Sequence, residues 1–83
     1  MPKIKRQESL ILQERRIFAH NFKQARKKAN ITQIQLEERT GLTQAFISNV
    51  ENSKKPISLD SANILAAAIG QPLWQLLTPV ENK

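Results

Sequence analysis

The side chains of this sequence best suited to chemistry are amides and hydroxyls, and they gather in one short stretch. On a helical wheel, Gln44 to Asn52 divides into an inner side of Ile47, Val50 and Glu51 and an outward set of Ala45, Ser48, Asn49 and Asn52. The outward set is small and polar, so it offers hydrogen-bond donors and acceptors but no group that attacks a bond. Catalytic machinery is poorly supplied elsewhere. There is no cysteine, no glycine-rich phosphate cradle and a single histidine, His20, with no Ser, Asp or Cys constellation around it. The same counts exclude a disulfide framework, a thiolate zinc site and a histidine-based metal centre, so no metal and no cofactor is expected. An enzyme is the least supported class, and recognition is the chemistry on offer.

The elements that must position this face follow from apolar spacing. Ile11, Phe18, Phe22, Ala25 and Ala29 mark one side of a first helix running from about Ser9 to Ala29. Asn30 then tolerates the left-handed conformation that ends helices. Thr32 caps a second helix, with apolar marks at Ile34 and Leu36 and a stop at Gly41; Thr43 caps a third, from Gln44 to about Asn52. The polar segment Ser53-Lys54-Lys55-Pro56 reads as a loop. Ser58 opens a fourth helix whose inward stripe is Leu59, Ala62, Leu65, Ala66 and Ile69, closed by Gly70. Pro72 suits the start of a short fifth helix, Leu73 to Leu77, before Pro79 breaks the chain. The expectation is an all-α fold of five packed helices. Residues 1–8 are expected as a flexible basic arm, 9–78 as the domain and 79–83 as a tail.

Size and charge narrow the class further. The 83 residues leave room for one domain, which at this length buries roughly 60% of the surface its unfolded chain exposes. No apolar run approaches the roughly 18 residues a membrane span needs, and no signal-peptide core follows Met1 to Arg6, so a soluble, cytoplasmic protein is expected. Lys plus Arg number 13 against 7 Asp plus Glu, a net charge of +6. Up to Lys28 there are nine basic residues against Glu8 and Glu14; beyond it, four basic residues face five acidic ones. The whole excess therefore lies toward the N-terminus, which favours a polyanionic partner: nucleic acid or an anionic surface.

The stretch Gln33 to Asn52 carries the most specific pattern. Leu36, Leu42, Ile47 and Val50 fall where two short helices bury apolar groups against each other, and Gly41 falls where the turn between them needs a positive φ. Here the sequence resembles the Cro and phage-repressor family of bacterial regulators, also called the xenobiotic-response-element family. The resemblance runs from Arg26 to Leu77 and is carried by Arg26-Lys27-Lys28-Ala29-Asn30-Ile31-Thr32-Gln33 and Gly41-Leu42-Thr43-Gln44-Ala45-Phe46-Ile47-Ser48-Asn49-Val50-Glu51-Asn52. It implies a lambda-repressor-like domain with a helix-turn-helix at helices two and three. Two positions depart from the family pattern: Glu37, where a small residue is usual, and Thr40, where a larger aliphatic is common. Glu37 is expected to lie along the helix pair with its carboxylate in solvent.

The resemblance also implies roles. The third helix would enter the major groove of double-stranded DNA, with Gln44, Ala45, Ser48 and Asn49 at the base edges. Gln and Asn pair in bidentate fashion with adenine, and the Ala45 methyl suits a thymine methyl. Gln33 would contact a phosphate and brace Gln44; Asn52, Lys54 and Lys55 would hold phosphates. Lys3, Lys5 and Arg6 resemble the lysine-rich arm of the lambda-repressor domain and would wrap the duplex. Arg26 and Glu51 are expected as a structural salt bridge, separate from the readers. Phe46 is expected to pack before helix four, and Leu73, Trp74 and Leu77 to form part of a dimer surface. The leading expectation is a repressor binding a palindromic operator as a homodimer, since one reading helix covers too few base pairs to select a site. No effector domain is expected beside it. Within the class, the alternatives are an antitoxin, with a toxin as protein partner, and a restriction-modification controller. A basic protein- or membrane-interaction module is the alternative outside it.

Overall fold

Three of the five helices begin at a hydroxyl residue whose side chain takes up a backbone amide left free by the first turn. In the computed structural model, which describes the backbone of residues 2–79 and the side chains of residues 13–79, these are Thr32, Thr43 and Ser58. Thr32 forms a full capping box: its hydroxyl accepts from the Gln35 N–H at 3.0 Å, and the Gln35 side chain accepts from the Thr32 N–H at 2.9 Å. The elements in chain order are α1 (Pro2–Lys28), α2 (Gln33–Thr40), α3 (Gln44–Glu51), α4 (Leu59–Ala68) and α5 (Leu73–Leu76). All regular structure among the described residues is helical.

The first helix departs most from expectation. It starts at Pro2 rather than near Ser9, so the backbone expected as an arm is helical. Proline is pre-organised for a first helical turn, and no glycine or second proline interrupts the residues that follow. The apolar period located only the later part of the helix, because residues 3–9 hold a single apolar side chain, Ile4, and so leave no periodic mark. The side chains of Lys3, Lys5, Arg6 and Ile11 lie outside the described residues. At the other end Asn30 takes φ +61°, as its place after α1 suggested.

Between α2 and α3, Gly41 adopts φ +80° and its N–H donates to the Glu37 carbonyl at 2.8 Å. A Cβ built on Gly41 would meet nothing within 4 Å. The glycine is therefore required by torsion and not by space. Thr40, the second departure from the family pattern, serves the same turn: its hydroxyl donates to the Leu36 carbonyl at 2.7 Å and accepts from the Leu42 N–H at 3.1 Å.

The core joins Phe18 and Phe22 of α1, whose rings stack with centroids 5.7 Å apart, to Leu36, Ile47, Val50, Ala62, Leu65, Ala66, Ile69 and Leu76. The second helix packs on α3 and α4, the first on α3 and α5, and α5 closes against α4. Three residues expected inside are not. Ala29 is exposed because α1 has already ended, Leu59 is 71% exposed and Ile34 is 55% exposed. Leu59 and Ile34 occupy the first two positions of their helices, where the Cα–Cβ bond tilts toward the N-terminus and carries the side chain past the end of the element. Ala66 is buried as expected of a close helix contact, while Ala67 is exposed.

Candidate nucleic-acid interface

The third helix is short and held at both ends. Its first turn has two acceptors from outside the helix. The Thr43 hydroxyl accepts from the Phe46 N–H at 3.1 Å, and the Glu37 carboxylate accepts from the Gln44 N–H at 2.9 Å. Glu37 is exposed, as expected, and this second bond gives its carboxylate a partner that the sequence did not show. Its acid group sits at a helix N-terminus, where the partial positive charge of the free amides favours it. Inspection of local sequence misses it because donor and acceptor lie on different helices, seven residues apart across a turn. The inner side of α3 is fixed by Ile47 and Val50, both buried in the core; Phe46 is half-buried and packs on the edge of the same cluster.

On the outer side, Gln44 and Ala45 are exposed, and Ser48 and Asn49 are half-buried. They share one face with Asn52, but Asn52 is turned back on the helix: its amide donates to the Ser48 carbonyl at 3.0 Å and approaches the Ser48 hydroxyl at 3.4 Å. That amide nitrogen is thus engaged by α3 itself. The chain leaves through Ser53 at φ +58°, and Lys54 and Lys55 follow, exposed, on the loop to α4.

Beneath this face runs a chain of polar contacts. Arg26 and Glu51 are both buried and form a two-pronged ion pair: Arg26 Nε donates to Glu51 Oε2, and Nη2 donates to Oε1 at 3.0 Å. Arg26 Nη1 donates to the Ile31 carbonyl at 2.7 Å, which fixes the guanidinium from a third direction. Paired in this way the two buried charges avoid the several kcal/mol that an unpaired ion costs, by an order-of-magnitude estimate. Every fully buried polar side-chain atom among the described residues has a hydrogen-bond partner. The pair does not stand apart from the outer face, as the sequence suggested. Gln33 Nε2 donates to Glu51 Oε1 at 3.0 Å, and Gln44 Nε2 reaches Gln33 Oε1 at 3.4 Å.

The residues expected to form a second surface are divided. Leu73 and Leu77 are half-buried and line an apolar groove of about 520 Å³ with Phe18, Ile57 and Leu59. Trp74, 69% exposed, instead borders a separate groove of about 690 Å³ beside His20, Gln24 and Lys28 of α1. His20 is exposed, as expected. None of the described helices is long and apolar enough to cross a membrane.

Two capped helices joined by a glycine turn, the second with a polar outward face, define a helix-turn-helix domain of the kind found in DNA-binding transcriptional regulators. A family model described as helix-turn-helix matches residues 22–73, and the chain belongs to that family, in its Cro and phage-repressor branch. It is 28% identical over 68 residues to the uncharacterized HTH-type transcriptional regulator y4dJ of Sinorhizobium fredii, covering 82% of this chain and 88% of the relative. It is 36% identical over 62 residues to the control protein C.SmaI of Serratia marcescens, covering 75% and 74% of the two chains. The crystal structure of hypothetical transcription factor NHTF from Neisseria superposes with a TM-score of 0.75 at 32% identity, covering 80% of this chain and 76% of that one.

Proposed function

We propose that this protein is a cytoplasmic, sequence-specific repressor that binds a palindromic operator in double-stranded DNA as a homodimer. The observation that carries the reading is the outer face of α3. Gln44, Ala45, Ser48 and Asn49 lie together on a helix whose first turn is fixed by Thr43 and Glu37 and whose inner side is fixed by the core. These four side chains read base edges. Gln33, Lys54 and Lys55 hold phosphates, and Asn52 joins them by releasing its bonds to Ser48. Lys3, Lys5 and Arg6 add to the electrostatic attraction.

Two copies are needed because half-sites about one helical turn apart double the sequence that one α3 reads. The apolar groove containing Leu73 and Leu77, together with exposed Trp74, supplies the surface on which copies pair. A second reading, a controller of a restriction-modification system, is favoured by the 36% identity with the control protein C.SmaI.

Selection of bound duplexes from a random-sequence pool tests the proposal. A palindromic motif that disappears with Gln44→Ala is the expected result. Binding that weakens with salt, by a log–log slope of roughly −0.9 per phosphate contact, but shows no sequence preference would overturn it.

A further inference from the structure

The polar chain beneath α3 has a direction, and the direction starts at Glu51. As the partner of a guanidinium, the Glu51 carboxylate has acceptors only. The Gln33 atom that lies 3.0 Å from Glu51 Oε1 must therefore be the amide nitrogen, which turns the Gln33 oxygen toward Gln44. That oxygen in turn selects the nitrogen of Gln44 as its neighbour, at 3.4 Å. One N–H of Gln44 is then spent inside the protein. What remains for the groove is one N–H and the carbonyl oxygen, a single donor beside a single acceptor.

That remainder discriminates between purines. In the major groove adenine shows an acceptor, N7, and a donor, the N6 amino group; guanine shows two acceptors, N7 and O6. A Gln44 amide held as observed matches adenine and has only one donor for guanine. Were the chain reversed, with the Gln44 oxygen facing the Gln33 nitrogen, both Gln44 N–H groups would face outward and match guanine.

We propose that Glu51 is a specificity-determining residue: from the buried side of α3, through Gln33, it sets the polarity of the Gln44 amide and so selects adenine over guanine. The inference rests on α3 being the base-reading helix. Arg26, held by the Ile31 carbonyl, is the anchor of the chain, and Glu51 and Gln33 are positioning residues that act through Gln44.

The test compares the full chain with three variants by selection from a random duplex pool, followed by titration of duplexes differing by adenine or guanine at one position. Gln44→Ala locates the base pair that Gln44 reads, as the one whose preference it flattens. There the unaltered protein should favour adenine over guanine by roughly 5- to 150-fold, the range expected of one bidentate pair. Glu51→Gln adds a donor where only acceptors stood and lets the chain run either way, so the adenine-to-guanine ratio should fall toward one. Because Glu51→Gln also weakens a buried ion pair, its folding is followed by circular dichroism. Gln33→Met provides the second arm, since it removes the link while keeping the Arg26–Glu51 pair. It should lower the same ratio, apart from any uniform loss of affinity through a missing phosphate contact. A merely structural role would lower the melting temperature or all affinities alike and leave the ratio unmoved. A ratio preserved in Gln33→Met, or in folded Glu51→Gln, overturns the relay while the reading of α3 stands. If Gln44→Ala flattens no position, the reading of α3 fails and the relay with it.

Discussion

Around α3 a set of polar, directional contacts is added to the apolar burial of Ile47 and Val50, whereas α5 is held mainly by apolar burial. The third helix has an outside acid on its first amide, a hydroxyl cap, and a chain of side-chain bonds running from Arg26 to Gln44. The fifth helix has a proline at its N-cap with no side-chain bond. Among the described residues it rests on buried Leu76 and on the Asn21 amide, which donates to the Leu76 and Thr78 carbonyls at 2.9 and 2.8 Å. Connected hydrogen bonds single out one geometry, while apolar surfaces of the right size accept several. A face that must present donors and acceptors in register needs the first kind of support. A face that must only exclude water against another surface can rest on the second.

Substitutions can break this contrast in graded steps. Glu51→Ala leaves a buried guanidinium without its partner and should lower unfolding free energy by about 3–5 kcal/mol in a urea titration. A purely apolar truncation at the other end, Leu76→Ala, should cost about 2–4 kcal/mol through lost burial and the cavity left behind. In that variant hydrogen exchange should accelerate first in α5, and α3 should keep its protection until global unfolding. Asn21→Ala removes two bonds to the end of α5 and is expected to cost about 1 kcal/mol, with exchange again rising in α5 alone. Glu37→Ala frees one exposed amide and should cost only about 0.5 kcal/mol; its amide effect should be confined to Gln44 and its neighbours. Trp74→Ser should change the monomer's stability by less than about 0.5 kcal/mol, while sedimentation at increasing concentration shows weaker self-association. Equal acceleration of exchange in α3 and α5 for Leu76→Ala would erase the distinction between the two regions.

How far these features could be read in advance follows the same division. The capped starts of α2, α3 and α4 and the turn at Gly41 were legible, because each depends on residues within four positions of one another. The buried positions of Phe18, Phe22, Ile47, Val50 and Leu65 were legible from spacing alone. Leu59 and Ile34 were misread because period says which side a residue is on but not whether a neighbour reaches that level of the helix. The start of α1 was missed because residues 3–9 hold one apolar residue, Ile4, too few to show a period. Within the interface, the members, the Arg26–Glu51 pair and the contact of Gln33 with Gln44 were visible through the family resemblance, but the rest of the wiring was not. Nothing local says that Glu37 bonds to the Gln44 amide, that Gln33 also reaches Glu51, or that Asn52 turns back on Ser48. Each of these depends on the angle at which α2 meets α3, or on a choice among rotamers.

The bond from Glu37 to the first amide of α3 has a consequence for engineering. Specificity in such domains invites transplantation, in which the outward residues of one recognition helix are exchanged for those of another. Here residues 44–52 do not form a portable cassette. Moved alone, they would leave behind the acid that seats their first turn and the glutamine that orients their leading side chain. A unit that carries the proposed reading surface intact takes Gln33 and the acid at position 37 with it, and needs an arginine at the place of Arg26 in α1 to pair with Glu51.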